Sequence, residues 1–190
     1  MNIQSQIPNI VLGRVPRGSL LTLIGKKDLI GVEIGVQWGV NSRWILDNLD
    51  IRKLYLIDPY VQYISVSGIL STDEPQTKEI ANIYLSKYND IIEWIYETSI
   101  NASLSIPDNL DFVYIDGDHR VEMIRLDIKN YIQKIKIGGL LAGHDYNQLQ
   151  VKKTVNKIFK DKLKTGQHND WWVIKKDYHN ENYWINNCVG

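Results

Sequence analysis

What most constrains this chain is a repeated alternation, in which short β-branched apolar runs are each followed by a stretch of helical spacing. "LIGVEIGV" at 29–36 is followed by "NSRWILDNL" at 41–49, whose Trp44, Ile45 and Leu49 recur at helical intervals. "KLYLIDPY" at 53–60 is stopped by Pro59, and "EPQTKEIANIYLSKYN" at 74–89 reads as a helix with Pro75 in its first turn. "IIEWIYET" at 91–98 and "LDFVYID" at 110–116 are the third and fourth strands. "RVEMIRLDIKNYIQKI" at 120–135 puts Met123, Ile124, Ile128, Tyr131 and Ile135 on one helical stripe. "GGLLAGHDY" at 138–146 is a fifth strand, and "VKKTVNKIFKDKL" at 151–163 sets an apolar face against a solvated lysine face. "DWWVIKK" and "NYWINN" close the chain as an antiparallel hairpin.

Strands apolar on both faces, alternating with helices, specify an α/β fold with a mostly parallel sheet covered on both sides. The expectation is a seven-stranded sheet whose last two strands form the hairpin. It occupies a single domain at 29–190, preceded by a lead-in at 1–28 with a short helix around 18–26. Ligands of such sheets bind beyond the carboxyl ends of the strands, near the switch in strand order. The residues following each run are therefore the ones to examine.

They are polar at all five ends. The first run leads into Glu33-x-Gly35-x-x-x-Gly39, the second into Asp58, and the third into Thr98 and Ser99. The fourth leads into Asp116, Asp118 and His119, and the fifth into His144, Asp145 and Tyr146. Glycines at a strand-to-helix turn let the backbone approach a ligand, and the helix start offers free N–H groups. Gln37 breaks the G-x-G-x-x-G spacing of a dinucleotide fingerprint, which counts against NAD. A carboxylate at Asp58 can accept both hydroxyls of a ribose. Simpler roles stand beside these: "DGD" is a good turn, Asp118 can cap the helix near Arg120, and His119 and His144 can be buried structural histidines. Tyr60, Tyr63 and the irregular segment 61–73 are the candidates for a lid over a second substrate.

Composition removes several classes. Lys plus Arg and Asp plus Glu number 22 each, so nucleic acid held mainly through phosphates is not expected. The one cysteine, Cys188, makes no internal disulfide and joins no zinc-spaced cluster, which suits a reducing compartment. No charged start leads into an apolar core, and no apolar run approaches the ~20 residues of a membrane span. The expectation is a cytoplasmic protein, compatible with a homodimer or with one module of a longer polypeptide.

Taken in order, "VEIGVQWGVNS", "LYLIDPY", "DFVYIDGDH" and "GGLLAGHDY", spanning roughly 29–146, resemble the class I S-adenosylmethionine-dependent methyltransferases. Among these the pairing of "IDGDH" with "GG…HDY" is similar to the small-molecule and sugar O-methyltransferases. The sequence departs from the pattern at Gln37, where the commonest motif has its middle glycine, and at Asn41, where the subgroup often has serine. The resemblance implies a Rossmann-like sandwich in which Glu33, Gly35 and Gly39 line the methionine end of S-adenosylmethionine. Asp58 would then hold the ribose, Ser99 would lie near the adenine, and Asp116 would approach the donor's amino group or a metal.

The resemblance also implies a metal site at Asp116, His144 and Asp145, suited to Mg²⁺, with the imidazole admitting Mn²⁺ more readily. Asp118 or His119 matches the position of the general base. The expected activity is methylation of a hydroxyl on a sugar, glycan or other small molecule, assisted by the divalent metal. Two other readings stand beside it: another nucleotide-binding enzyme on the same architecture, and a non-catalytic module that binds S-adenosylmethionine within a larger assembly.

Overall fold

The computed structural model describes residues 3–7, 17–62 and 75–176. Seven strands form one sheet: β1 Leu29–Ile34, β2 Ile51–Ile57, β3 Ile92–Ile95, β4 Leu110–Ile115, β5 Ile135–Gly143, β6 Lys164–Thr165 and β7 Trp171–Ile174. Their spatial order is β3-β2-β1-β4-β5-β7-β6. The first five are parallel, and β7 pairs antiparallel with both β5 and β6. The helices are α1 Val40–Asn48, α2 Pro75–Leu85, α3 Ser99–Ala102, α4 Val121–Ile132 and α5 Leu149–Phe159, with short 3₁₀ turns between.

Strand alternation divides the core in two. Val113 and Ile115 of β4 face one side, with Val32 and Ile34 of β1 and Leu141 of β5, under Ile124, Ile128 and Tyr131 of α4 and Val155 and Phe159 of α5. Phe112 and Tyr114 face the other, with Leu54, Leu56, Leu140 and Ala142, under Ile45 and Leu46 of α1 and the 3₁₀ turn residues Leu20 and Leu23. A β4 strand buried on both faces accounts for its unbroken apolar run. The lysines of α5 are exposed while Val151, Val155, Ile158 and Phe159 are buried, as its pattern requires.

Several boundaries differ from the sequence expectation for identifiable reasons. The third strand ends at Ile95, because Thr98 turns the chain into α3 and its hydroxyl accepts the Asn101 N–H at 3.4 Å. Ile135 belongs to β5 rather than to the preceding helix, since Leu110 of β4 pairs with it. The antiparallel partner of β7 is the two-residue β6, an exposed polar edge with no apolar alternation to announce it. "NYWINN", Tyr63 and Cys188 lie outside the described residues, as does most of the expected lid. Among the described residues no helix is long and apolar enough to cross a membrane.

Candidate functional site

The sheet order reverses between β1 and β4, since β1 leads outward to β2 and β3 while β4 leads the other way. Hydrogen bonding continues past the strand ends there and fixes the polar residues in register. The Gly35 N–H donates to Ile57 O at 2.9 Å, Asp116 N–H to Ile34 O at 2.8 Å, and His144 N–H to Ile115 O at 3.0 Å. Gly35 has φ +84, and a Cβ there would stand 2.1 Å from the Asp116 carbonyl oxygen. The absent side chain is therefore what lets the β1 turn lie against the end of β4.

Beyond these ends lies a cavity of about 340 Å³, within the ordinary range for a small-molecule site. Gly35, Asp58, Ser99, Asp116, Asp118, His119 and Asp145 all line it. Glu33, Gly39 and His144 are not among its lining residues and take part through their neighbours.

Glu33 is 1% exposed, and both its oxygens are occupied from α1: Asn41 Nδ2 donates to Oε1 at 3.0 Å and Ser42 Oγ donates to Oε2. Burial pushes its carboxyl up to about 7 against the pull of those two bonds. The residue fastens the start of α1 to β1. Gly39 begins that helix at φ +74.

Asp58 organises the turn between them. Its Oδ2 accepts the N–H groups of Val36 and Gln37, each at 2.9 Å, and its Oδ1 accepts that of Tyr60 at 2.8 Å. Burial raises its pKa although all three bonds favour the ionised form. A carboxylate offers about four acceptor positions, so capacity for a ligand hydroxyl remains. Gln37 takes φ +49, the left-handed backbone that the usual glycine adopts freely, and Tyr60 Oη donates to its carbonyl at 2.8 Å. Tyr60 is thus a buried brace of the turn rather than a lid, and its ring meets Trp94 and Tyr96 at centroid distances of 6.3 and 6.2 Å. Val61, 55% exposed, lines the cavity instead.

Ser99 opens α3 and donates its hydroxyl proton to Asp127, while Tyr131 Oη donates to its carbonyl at 2.7 Å. With its proton so used, Ser99 Oγ keeps acceptor capacity toward the cavity. Asp127 is 2% exposed, and burial pushes it up to about 7.

At the ends of β4 and β5 four ionisable groups form a chain. His144 Nδ1 lies 3.5 Å from Asp116 Oδ1 and 3.3 Å from Asp145 Oδ1, and His119 Nε2 lies 2.9 Å from Asp145 Oδ2. The last contact is close but poorly aligned for a hydrogen bond, so it is an ion pair in character. Burial disfavours the charged form of His144, yet the bonds to Asp116 and Asp145 outweigh it and hold the imidazole up to about 9. His119 is raised by the same contest, in which Asp145 overcomes burial. Asp145 is held well below the usual carboxylate range, because the two histidines overcome its own desolvation. Its backbone has φ +58, a left-handed conformation that aspartate adopts more readily than most residues.

Asp116, His144 and Asp145 each offer one donor atom, all within 4.8 Å of one another. Two carboxylates and one imidazole so converged fit a small divalent cation, which satisfies both acids as the proton on His144 does. Asp118 is differently engaged. Its Oδ1 accepts the Arg120 N–H at 2.9 Å and its Oδ2 accepts Arg120 Nε at 2.7 Å, closing the turn into α4.

Two groups beside the site escaped the sequence reading. Arg17 in the lead-in reaches Asp116 Oδ2 with Nη2 at 3.5 Å. Asp170, fully buried, accepts the Ser19 N–H at 2.9 Å and the Tyr114 hydroxyl at 2.8 Å, tying the lead-in to β4 and β7. Arg17 precedes Gly18 and Asp170 opens "DWWVIKK", but neither follows the carboxyl end of a parallel strand, the signal by which the other site residues were found.

Comparison with known proteins agrees with this fold. The chain is 28% identical over 158 residues to the uncharacterized protein R132 of Acanthamoeba polyphaga mimivirus, which covers 80% of this chain and 69% of that one. Its fold is similar to that of an rRNA methylase from Streptococcus thermophilus, with TM-score 0.60, 13% identity, and 90% and 98% of the two chains covered. It is also similar to the N-methyltransferase NodS from Bradyrhizobium japonicum, with TM-score 0.56, 14% identity and 92% and 97% coverage. A third such structure is SMU.1697c from Streptococcus mutans, solved in complex with SAH, with TM-score 0.57, 14% identity and 88% and 96% coverage. A family model described as a methyltransferase domain matches residues 32–146, the span from β1 to the turn after β5, and the chain belongs to that family.

Proposed function

We propose that this protein transfers a methyl group from S-adenosylmethionine to a hydroxyl of a sugar or other small molecule, with a divalent cation at Asp116, His144 and Asp145. The observation that carries this reading is the convergence of Gly35, Asp58, Ser99, Asp116, His119 and Asp145 on one cavity at the switch in strand order. Asp58 would accept from the ribose, and Ser99 Oγ from an amino group on the base. Gly35 would let the methionine end lie close to the β4 terminus. S-adenosylmethionine supplies a methyl carbon made electrophilic by its sulfonium, and the cation supplies Lewis acidity that lowers the pKa of a nearby hydroxyl.

The chain's own groups must then align the acceptor and take its proton. His119 suits the second task better than Asp118 does. Asp145 orients the His119 ring within the cavity, whereas the Asp118 carboxylate is forked onto Arg120. Asp118 serves this reading as the brace that sets the turn carrying His119.

Calorimetry with S-adenosylhomocysteine, with and without Mn²⁺, tests the reading, followed by a screen of hydroxyl acceptors. Tight binding and methylated product are expected. Binding of NAD or a nucleotide sugar without binding of S-adenosylhomocysteine would overturn it.

A further inference from the structure

Among the described residues, Arg17 Nε and Nη1 and Asn41 Oδ1 are buried without a hydrogen-bond partner. Arg17 is 4% exposed, and its contact is the 3.5 Å approach of Nη2 to Asp116 Oδ2. A guanidinium always carries its charge, and leaving its donors unpaired in the interior is costly. The other acids nearby are already committed. Glu33 is bonded to Asn41 and Ser42, and Asp170 to Ser19 and Tyr114. Arg17 therefore faces the cavity-lining Asp116 with donors to spare.

The two oxygens of Asp116 point to different tasks. Oδ1 faces His144 and the candidate metal donors, while Oδ2 faces Arg17. Asn41 adds an unpartnered acceptor, since its Nδ2 is spent on Glu33. Spare donors on a fixed cation next to a carboxylate complement an α-amino acid, whose carboxylate and ammonium sit on one carbon.

We propose that Arg17 binds the carboxylate of the methionine moiety of S-adenosylmethionine, while Asp116 Oδ2 and Asn41 Oδ1 accept from its ammonium. This assignment rests on the methyl-donor reading and gives the lead-in a part in the site. Arg17 thereby selects donors and products that retain the amino-acid head.

The full chain is titrated calorimetrically with S-adenosylhomocysteine and with its decarboxylated analogue, which keeps the amine. Wild-type protein is expected to bind the first about 30-fold more tightly or better, the scale of a charge-assisted contact. Arg17→Met should remove most of that difference by weakening S-adenosylhomocysteine alone, and Arg17→Lys should restore part of it. Equal wild-type affinities for the two ligands would overturn the assignment, whatever the variants do. So would an Arg17→Met variant that weakens both ligands alike, which would make Arg17 a structural residue. If wild-type protein binds neither ligand nor methylthioadenosine, the methyl-donor reading itself falls. Binding of methylthioadenosine as tight as that of S-adenosylhomocysteine keeps the nucleoside site and rejects the role of Arg17.

Discussion

His119 Nε2 stands 2.9 Å from Asp145 Oδ2, so the turn after β4 and the turn after β5 act on one another across the sheet's ligand-facing end. Asp118, one position earlier in sequence, is turned instead onto Arg120. Under the proposed function, neighbours in the chain are thereby divided between chemistry and scaffolding.

That division predicts unequal kinetic effects. His119→Ala should lower kcat by about 10²–10⁴-fold with little change in donor affinity, the usual loss for a general base. Asp118→Asn should cost less than about 10-fold in kcat and about 1 kcal/mol of stability, through the weakened turn. Product S-adenosylhomocysteine measured with the best hydroxyl acceptor distinguishes the two. A larger loss from Asp118→Asn than from His119→Ala would reverse the assignment.

Metal binding is checked without turnover. Mn²⁺ titrated into wild-type protein should give one bound equivalent by electron paramagnetic resonance, and Asp145→Ala should weaken it by about 10-fold or more. Chelator should abolish methylation and added Mn²⁺ restore it. Full activity in chelator would leave His119 without a metal partner in the reaction.

Glu33 gives a pH signature in stability. Burial disfavours its charge and pushes its native carboxyl up to about 7, above the ordinary 4.5. The native state therefore holds a proton that the unfolded chain has released, and unfolding free energy from this group falls as pH rises from about 4.5 to 7. Glu33→Gln should flatten that fall in urea unfolding at pH values spanning the window. Parallel curves for the two proteins would show that Glu33 ionises normally.

Two glycines with similar backbone angles separate strain from contact. Gly35 has φ +84 with the Asp116 carbonyl in the way of any Cβ, whereas Gly138 has φ +79 with nothing within 4 Å. Gly138→Ala should cost about 1 kcal/mol, and Gly35→Ala about 2–5 kcal/mol together with donor binding. Equal costs in thermal or urea unfolding would refute the account of the β1–β4 approach.

The strand-helix alternation, the parallel sheet and the polar strand ends were readable because periodicity and burial write directly into the chain. β4 is the clearest example: Phe112 to Ile115 are apolar in succession because the sheet is covered on both faces. From those ends followed Gly35, Asp58, Ser99, Asp116, His119 and Asp145 as residues sharing a site, and the cavity does contain them. What each does was less legible. Glu33 looks like a ligand contact in "VEIGVQWG" but spends both oxygens on Asn41 and Ser42, a matter of how α1 leaves its turn.

The sequence by itself determined the parallel strands and the set of polar groups gathered at their ends, since these follow from local pattern. Only the tertiary structure decided which carboxylate oxygen meets which partner. Asp116 divides Oδ1 and Oδ2 between His144 and Arg17, residues separated from it by 28 and 99 positions. No local pattern encodes such a pairing. It depends on ångström-scale placement by packing around the site, where a buried charge must find whatever counterpart the fold or a ligand brings to it.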